Sequence, residues 1–224
     1  YMLTNEGIHD TICANARLSA FHGGAYAVYD PMNNCARSAY SEDGSIALSL
    51  PPYSSVIFAF GDLPRPLADA KKPDELVSSY PLEATWDIYV ATQSEYPIFA
   101  PYRSTDTLFN ITGRDALPHF SGHMQYETPI DMQPVLDPMR VILDLGYVGE
   151  SVTLLVNGTC VGETMVPPYR FDITDALHGG QNTVVAEITN HYGYAMRDGF
   201  SKYLLFEPSG LLGPVTIEIH RVND

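Results

Sequence analysis

The sequence predicts an all-β chain, a small β-sandwich followed by a larger one, and three observations carry that prediction. Within residues 140–190, three apolar runs (141–145, 152–156 and 183–188) are separated by Gly146, Asn157-Gly158 and Gly179-Gly180. Short runs with Val, Ile and Leu on both faces, bounded by turn residues, read as strands inside a sandwich. Asn157-Gly158 suits a two-residue hairpin, since both central positions of a type I′ turn need positive φ. Within this stretch the helical signal is a single turn over Asp172–Leu177, with Thr174 as its N-cap and Gly179 as its stop.

From the N-terminus, residues 1–61 form the small sandwich, with about six short strand candidates before residue 60. Ser45–Leu50 alternates cleanly and places Ile46, Leu48 and Leu50 on one face, and Ala25–Tyr29 sets Tyr26 and Val28 against Ala25, Ala27 and Tyr29. Turns fall at His22–Gly24, Asp30–Asn34, Asp43-Gly44 and Pro51-Pro52. Residues 62–80, with three prolines, mixed charge and no apolar period, read as a linker. The larger domain spans 81–224. Leu82–Val90 opens it, with Trp86, Ile88 and Val90 on one face as core filler, and Val215–Ile219 closes it with period two. Residues 91–120 read as an irregular connection of the kind that carries binding loops at the end of a sandwich.

Composition narrows the function. A formal charge of −15 excludes a phosphate-tracking surface and argues against nucleic acid and anionic membranes. No apolar run approaches the length of a membrane span. Fifteen Tyr suit both pleated sheets and sugar stacking, and neutral glycans remain compatible. Cys13, Cys35 and Cys160 form an odd set without CxxC spacing, which implies neither a disulfide framework nor a zinc site. They read as small buried apolar residues, although Cys13 and Cys35 could meet across strands. The start at Tyr1, without Met or signal peptide, reads as the excised C-terminal piece of a larger protein.

The order LDLG, VNG, PPYRFDITDAL and GGQNTVVAEITN, preceded by HFSGHMQYET (119–128) and followed by PSGLLGPV (208–215), resembles a known module. It is similar to the galactose-binding-like jelly-roll sandwich of glycoside hydrolases, that is, the sugar-binding domain of family 2 and the C-terminal domain of family 106 α-L-rhamnosidase-like enzymes. The resemblance covers residues 82–219. It departs after Asn190, where the rhamnosidase-like relatives tend to carry a Trp and an Arg and this chain reads His191-Tyr-Gly-Tyr-Ala-Met-Arg197-Asp198. The resemblance implies a non-catalytic accessory region, structural or carbohydrate-binding, of an enzyme that cleaves O-glycosidic bonds. Its partners would be a missing N-terminal catalytic domain and, through end loops, glycans.

The residues themselves offer no reaction centre. Glycosidic cleavage needs two carboxyl groups flanking the bond, and no Asp or Glu here stands at a strand end in a βαβ pattern. Glu127 and Glu187 fall within strands and read as solvent-facing. His119 and His123 would suit a metal only on a helix, which Pro118 and Ser121-Gly122 oppose. No cofactor is expected, save that a structural calcium, common in galactose-binding-like folds, could draw on Asp106, Asn110, Asp115 or the acids of 172–175. Tyr169 reads as a structural plug with a capping hydroxyl. The sequons Asn110-Ile-Thr112 and Asn157-Gly-Thr159 read as chance matches. The carbohydrate-binding candidates are polar and aromatic residues of expected loops: Tyr102, Arg103, His119, Tyr192, Tyr194, Arg197 and Asp198. The rival readings are an autonomous carbohydrate-binding module, an interface domain that only docks to protein, and an independent enzyme.

Overall fold

A computed structural model describes residues 1–7, 10–32, 34–61, 68–69, 74–196 and 206–223. The chain divides into two compact units, Tyr1–Lys72 and Pro73–Asn223. The described residues are almost entirely β, with two short 3₁₀ turns at Thr174–Ala176 and Tyr192–Tyr194. None of the described helices is long and apolar enough to cross a membrane.

The first unit holds β1 (Met2–Thr4), β2 (Ile12–Arg17), β3 (Gly24–Asp30), β4 (Cys35–Ser41), β5 (Ser45–Leu50), β6 (Ser55–Phe60) and β7 (Ala68–Asp69). One sheet runs in the order β1-β6-β3-β4-β7 and the other pairs β2 with β5. Alternation sends Tyr26 and Val28 of β3, Ile46 of β5 and Phe58 of β6 into one core with Phe21. The ring of Phe21 stacks on Phe60 at 4.4 Å and meets Tyr26 edge-on at 5.3 Å. Asn34 and Gly44, two of the expected turn positions, have positive φ (48° and 73°). All three cysteines are free and exposed, which corrects the buried reading. The reason is local: Cys13 lies on a strand that is exposed over most of its length, opposite Ser49, and Cys35 starts β4 beside the Asp30 turn.

The second unit holds β8 (Glu75–Pro81), β9 (Trp86–Thr92), β10 (Ala100–Thr105), β11 (Gly122–Met132), β12 (Met139–Asp144), β13 (Tyr147–Gly149), β14 (Ser151–Val156), β15 (Thr159–Thr164), β16 (Arg170–Asp172), β17 (Gly180–Thr189), β18 (Gly210–Gly213) and β19 (Thr216–Arg221). A six-stranded sheet (β10-β9-β11-β17-β14-β15) and a four-stranded sheet (β16-β12-β19-β8) are antiparallel throughout, and β13 pairs with β18. The expected phase holds. Val152, Leu154 and Val156 of β14 and Val184, Ala186 and Ile188 of β17 are buried, and Trp86 (2% exposed) and Ile88 join them in the core. Asn157 and Gly158, with φ of 53° and 78°, turn β14 into β15 as their sequence requires.

Several local expectations change. Residues 75–80, read as linker, belong to the edge strand β8, which pairs with β19 through backbone hydrogen bonds that do not depend on an apolar period. Residues 100–105, read as loop, are the edge strand β10, where Pro101 is tolerated because an edge has an unpaired side. Thr174 is not an N-cap. The capping position is Ile173, and Thr174 instead opens the 3₁₀ turn, its hydroxyl accepting from Val141 N (2.8 Å) and donating to Asp172 Oδ1 (2.5 Å). Asp172 Oδ1 also accepts from Thr174 N, so the aspartate supplies the local cap. The turn ends at Leu177, ahead of Gly179.

Close backbone approaches fix the end of the sandwich where β13 meets β18. A Cβ on Gly149 would stand 2.0 Å from Pro208 O. Gly210 adopts φ +102°, and a Cβ there would stand 2.3 Å from the Tyr126 hydroxyl. Burial holds that phenol's pKa well above its ordinary value. Gly210→Ala is therefore expected to destabilise the second unit by about 3 kcal/mol, combining left-handed strain with overpacking. Urea denaturation followed through Trp86, the chain's single Trp, measures it. A loss under about 0.5 kcal/mol, the scale of an ordinary surface substitution, would contradict the close approach.

Candidate functional site

A cavity of about 360 Å³ opens beside β13, lined by Tyr147, Val148, Gly149, Glu150, Met165, Tyr169, His191, Phe206 and Glu207. Three phenols hold its two glutamates. Tyr147 donates to Glu207 Oε2 (3.1 Å), Tyr194 donates to Glu207 O (2.5 Å), and Tyr169 donates to Glu150 O (2.8 Å). His191 completes the set. Its Nδ1 accepts from Gly193 N (3.0 Å), which leaves the proton on Nε2, 3.1 Å from Glu150 Oε1. The imidazole lies 4.7 Å from the Tyr194 ring and 4.9 Å from that of Phe206. His191 uses one oxygen of the Glu150 carboxylate and Tyr147 one oxygen of Glu207. The second oxygen of each can accept from a ligand hydroxyl.

The walls are set by a buried polar network behind them. Asn190 Oδ1 accepts from Gly122 N (2.9 Å), and its Nδ2 donates to Phe120 O (3.1 Å) and Ser209 Oγ (3.0 Å). Ser209 Oγ donates to Gly149 O (3.2 Å), and Ser209 N donates to Asn110 Oδ1 (2.9 Å). Asn190 and Ser209 are buried. They carry the cavity residues His191 and Glu207 one and two positions away along the chain.

Only part of the expected ligand set gathers here. Tyr192 is 65% exposed beside the cavity's His191. Tyr194 is 1% exposed and cannot offer its ring face to a ligand, because the 3₁₀ turn drives it inward onto Glu207 O. Tyr102 and Arg103 lie on β10, where Arg103 sits 5.0 Å from the Phe109 ring and 5.5 Å from that of Tyr102. His119 is exposed in the turn before β11. None of these three lines the cavity. Arg197 and Asp198 fall outside the described residues. The sequence reading missed Tyr147, Glu150, His191, Phe206 and Glu207. The available signals were the glycines of LDLGYVGE and PSG, which announce the approach that brings these residues together.

Other expectations find structural roles. Tyr169 is the expected plug. Glu187 points away from the core as expected, half-buried on the outer face of β17 and 3.7 Å from His123 Nδ1. Among the described residues, no group of three or more His, Cys, Asp or Glu could hold a metal ion. Asn110, considered for calcium, spends its carboxamide oxygen on Thr112 N, Thr112 Oγ1 and Ser209 N. The amide of Asn157 is likewise spent within the fold, on Ala176 O and Asn182 Oδ1.

No protein-family model matches the sequence, and no curated protein aligns with it significantly. Solved structures do match in fold. The chain is similar to part of a rhamnosidase from Novosphingobium sp. PP1Y, with 22% identity and a TM-score of 0.66, over 98% of this chain and 22% of that one. It is also similar to part of the β-glucuronidase of Ruminococcus gnavus, with 17% identity and a TM-score of 0.50, over 68% of this chain and 30% of that one. This chain thus spans less than a third of either structure and shares a β-sandwich fold with parts of glycoside hydrolases.

The phenol of Tyr147 is held up to about 12, first by loss of water around it and then by its bond to the Glu207 carboxylate. A folded pKa above the unfolded value of 10.0 gives stability that is complete below pH 10 and disappears as pH rises towards 12. Tyr147→Phe is expected to flatten the fall in stability across that window, measured by thermal melts at stepped alkaline pH. An unchanged slope would contradict the Tyr147–Glu207 bond.

Proposed function

We propose that this chain is a non-catalytic accessory region of a glycoside hydrolase, of the galactose-binding-like kind. The cavity at Glu150, His191 and Glu207 takes the hydroxyl groups of a sugar. The observation that carries this reading is the fold, since 98% of the chain follows one segment of a rhamnosidase and fills only 22% of it. The partner would then be a catalytic domain elsewhere in the same protein, acting on rhamnosides or related glycosides.

Chemistry supports binding over turnover. A glycosidase pairs an acid kept protonated by an apolar enclosure with a second carboxylate across the bond. Here Glu207 is exposed and bonded to Tyr147, while Glu150 accepts a hydrogen bond from His191 Nε2. Carboxylates fixed in this way, beside Phe206 and Tyr147, suit hydrogen bonds to hydroxyls and contact with an apolar sugar face.

Calorimetric titration with L-rhamnose, galactose and glucuronic acid tests the reading, alongside hydrolysis assays on aryl glycosides. Millimolar binding of at least one sugar is expected, weakened about tenfold in Glu150→Gln and His191→Ala, a loss of about 1.4 kcal/mol. No turnover is expected. Hydrolysis by the intact chain that is lost in Glu150→Gln or Glu207→Gln would overturn the accessory reading. Binding of none of the sugars would overturn the role given to the cavity.

A further inference from the structure

The outward face of the six-stranded sheet carries a second pattern that shares no residue with the cavity. The register aligns Tyr89, Gln125, Glu187, Thr153 and Glu163 in one row across β9, β11, β17, β14 and β15. With neighbouring strands ~4.8 Å apart, the row extends roughly 19 Å. Glu163 is exposed and the other four are half-buried. Among the described residues, Tyr89, Gln125, Thr153 and Glu163 make no side-chain hydrogen bond, so their polar groups are open to a partner.

One end of the face has an aromatic rim. His123, in the next row, is anchored by Thr189 Oγ1 (2.9 Å) and Gln93 Oε1 (3.3 Å). The Tyr96 ring stacks on it at 4.0 Å and remains 43% exposed. The Glu187 carboxylate raises the Tyr96 pKa by its charge and by a hydrogen bond, which ties this rim to the row. On the other flank, Asp87 and Glu127 face each other across β9 and β11.

The mixture of groups selects the partner. Glu187 and Glu163 only accept hydrogen bonds, whereas Gln125, Thr153 and Tyr89 both donate and accept. An ammonium or guanidinium group only donates and would leave the Gln125 and Thr153 donors unmet. An anionic chain would meet four carboxylates with no Lys or Arg in either row. Hydroxyl groups donate and accept, and they carry no charge. We propose that this face binds a neutral oligosaccharide laid across the strands, with Tyr89 and Tyr96 against its sugar rings and Gln125, Glu187 and Thr153 bonded to its hydroxyls. The proposal rests on the reading of the chain as a glycan-associated module.

Affinity electrophoresis of the intact chain tests it, in gels containing a soluble neutral β-glucan, a neutral galactomannan, a polyuronate or poly-lysine. Retardation is expected in at least one neutral gel and not in the polyuronate gel, while poly-lysine is expected to slow the chain and all its sheet variants alike through the net charge of −15. Retardation in the neutral gel should weaken at least fivefold in Tyr89→Ala and in Gln125→Ala and persist in His191→Ala, with Trp86 fluorescence verifying the fold of each variant. Gln125→Glu, which keeps size and adds charge, should weaken it as well. Absence of retardation in both neutral gels, or neutral-gel retardation that survives all three sheet variants, overturns the proposal. Loss in His191→Ala alone would assign the binding to the cavity and sink the sheet site only. Retardation by poly-lysine that the sheet variants abolish would mean a basic protein partner and would also overturn it.

Discussion

Two buried carboxamides hold the ends of β17, the strand at the centre of the larger sandwich, and the rest of that unit is arranged around them. At one end, Asn182 Nδ2 donates to His178 O (2.8 Å) and Gly180 O (2.9 Å), while its Oδ1 accepts from His178 N (2.9 Å) and Asn157 Nδ2 (2.8 Å). At the other end, Asn190 bonds Phe120, Gly122 and Ser209. An amide brought into a core without partners costs about 1–3 kcal/mol for each unmet group. These two side chains therefore specify which loops meet at each end, and between them the strand can be apolar on its inward face.

The cavity follows from this constraint. His191 is the residue after Asn190, and Glu207 is two before Ser209, so the bonds that bury Asn190 and Ser209 also bring the imidazole and the carboxylate to one place. Gly149 lacks the side chain that would otherwise keep β13 from the Pro208-Ser209 backbone, and Gly210 leaves room for the Tyr126 ring and hydroxyl. The phenols of Tyr147, Tyr169 and Tyr194 then fix the two glutamates. The network organises the fold, and the residues beside it are left to contact a ligand.

The β-sandwich was legible in the sequence because alternation and turn chemistry act over a few residues. Val152–Val156, Asn157-Gly158, Val184–Ile188 and Trp86 each reveal their role within one strand or turn. Edge strands were harder. β8 and β10 are exposed along most of their length and held by backbone bonds, so neither carries an apolar signature. The site was least legible, since Glu150, His191 and Glu207 meet through contacts that span up to 60 positions. Aromatic residues in an expected loop pointed to the right neighbourhood, but Tyr194 faces inward and His191 faces the cavity. A difference of three positions across a tight turn decides which side chain a ligand can reach.

The most direct test of this account is urea denaturation of Asn190→Ala, followed through Trp86. The substitution leaves the Gly122 amide, the Phe120 carbonyl and the Ser209 hydroxyl short of a partner, and a loss of about 3 kcal/mol is predicted. A loss below about 0.5 kcal/mol, no more than a surface change produces, would contradict the claim that this carboxamide holds the end of the sandwich together.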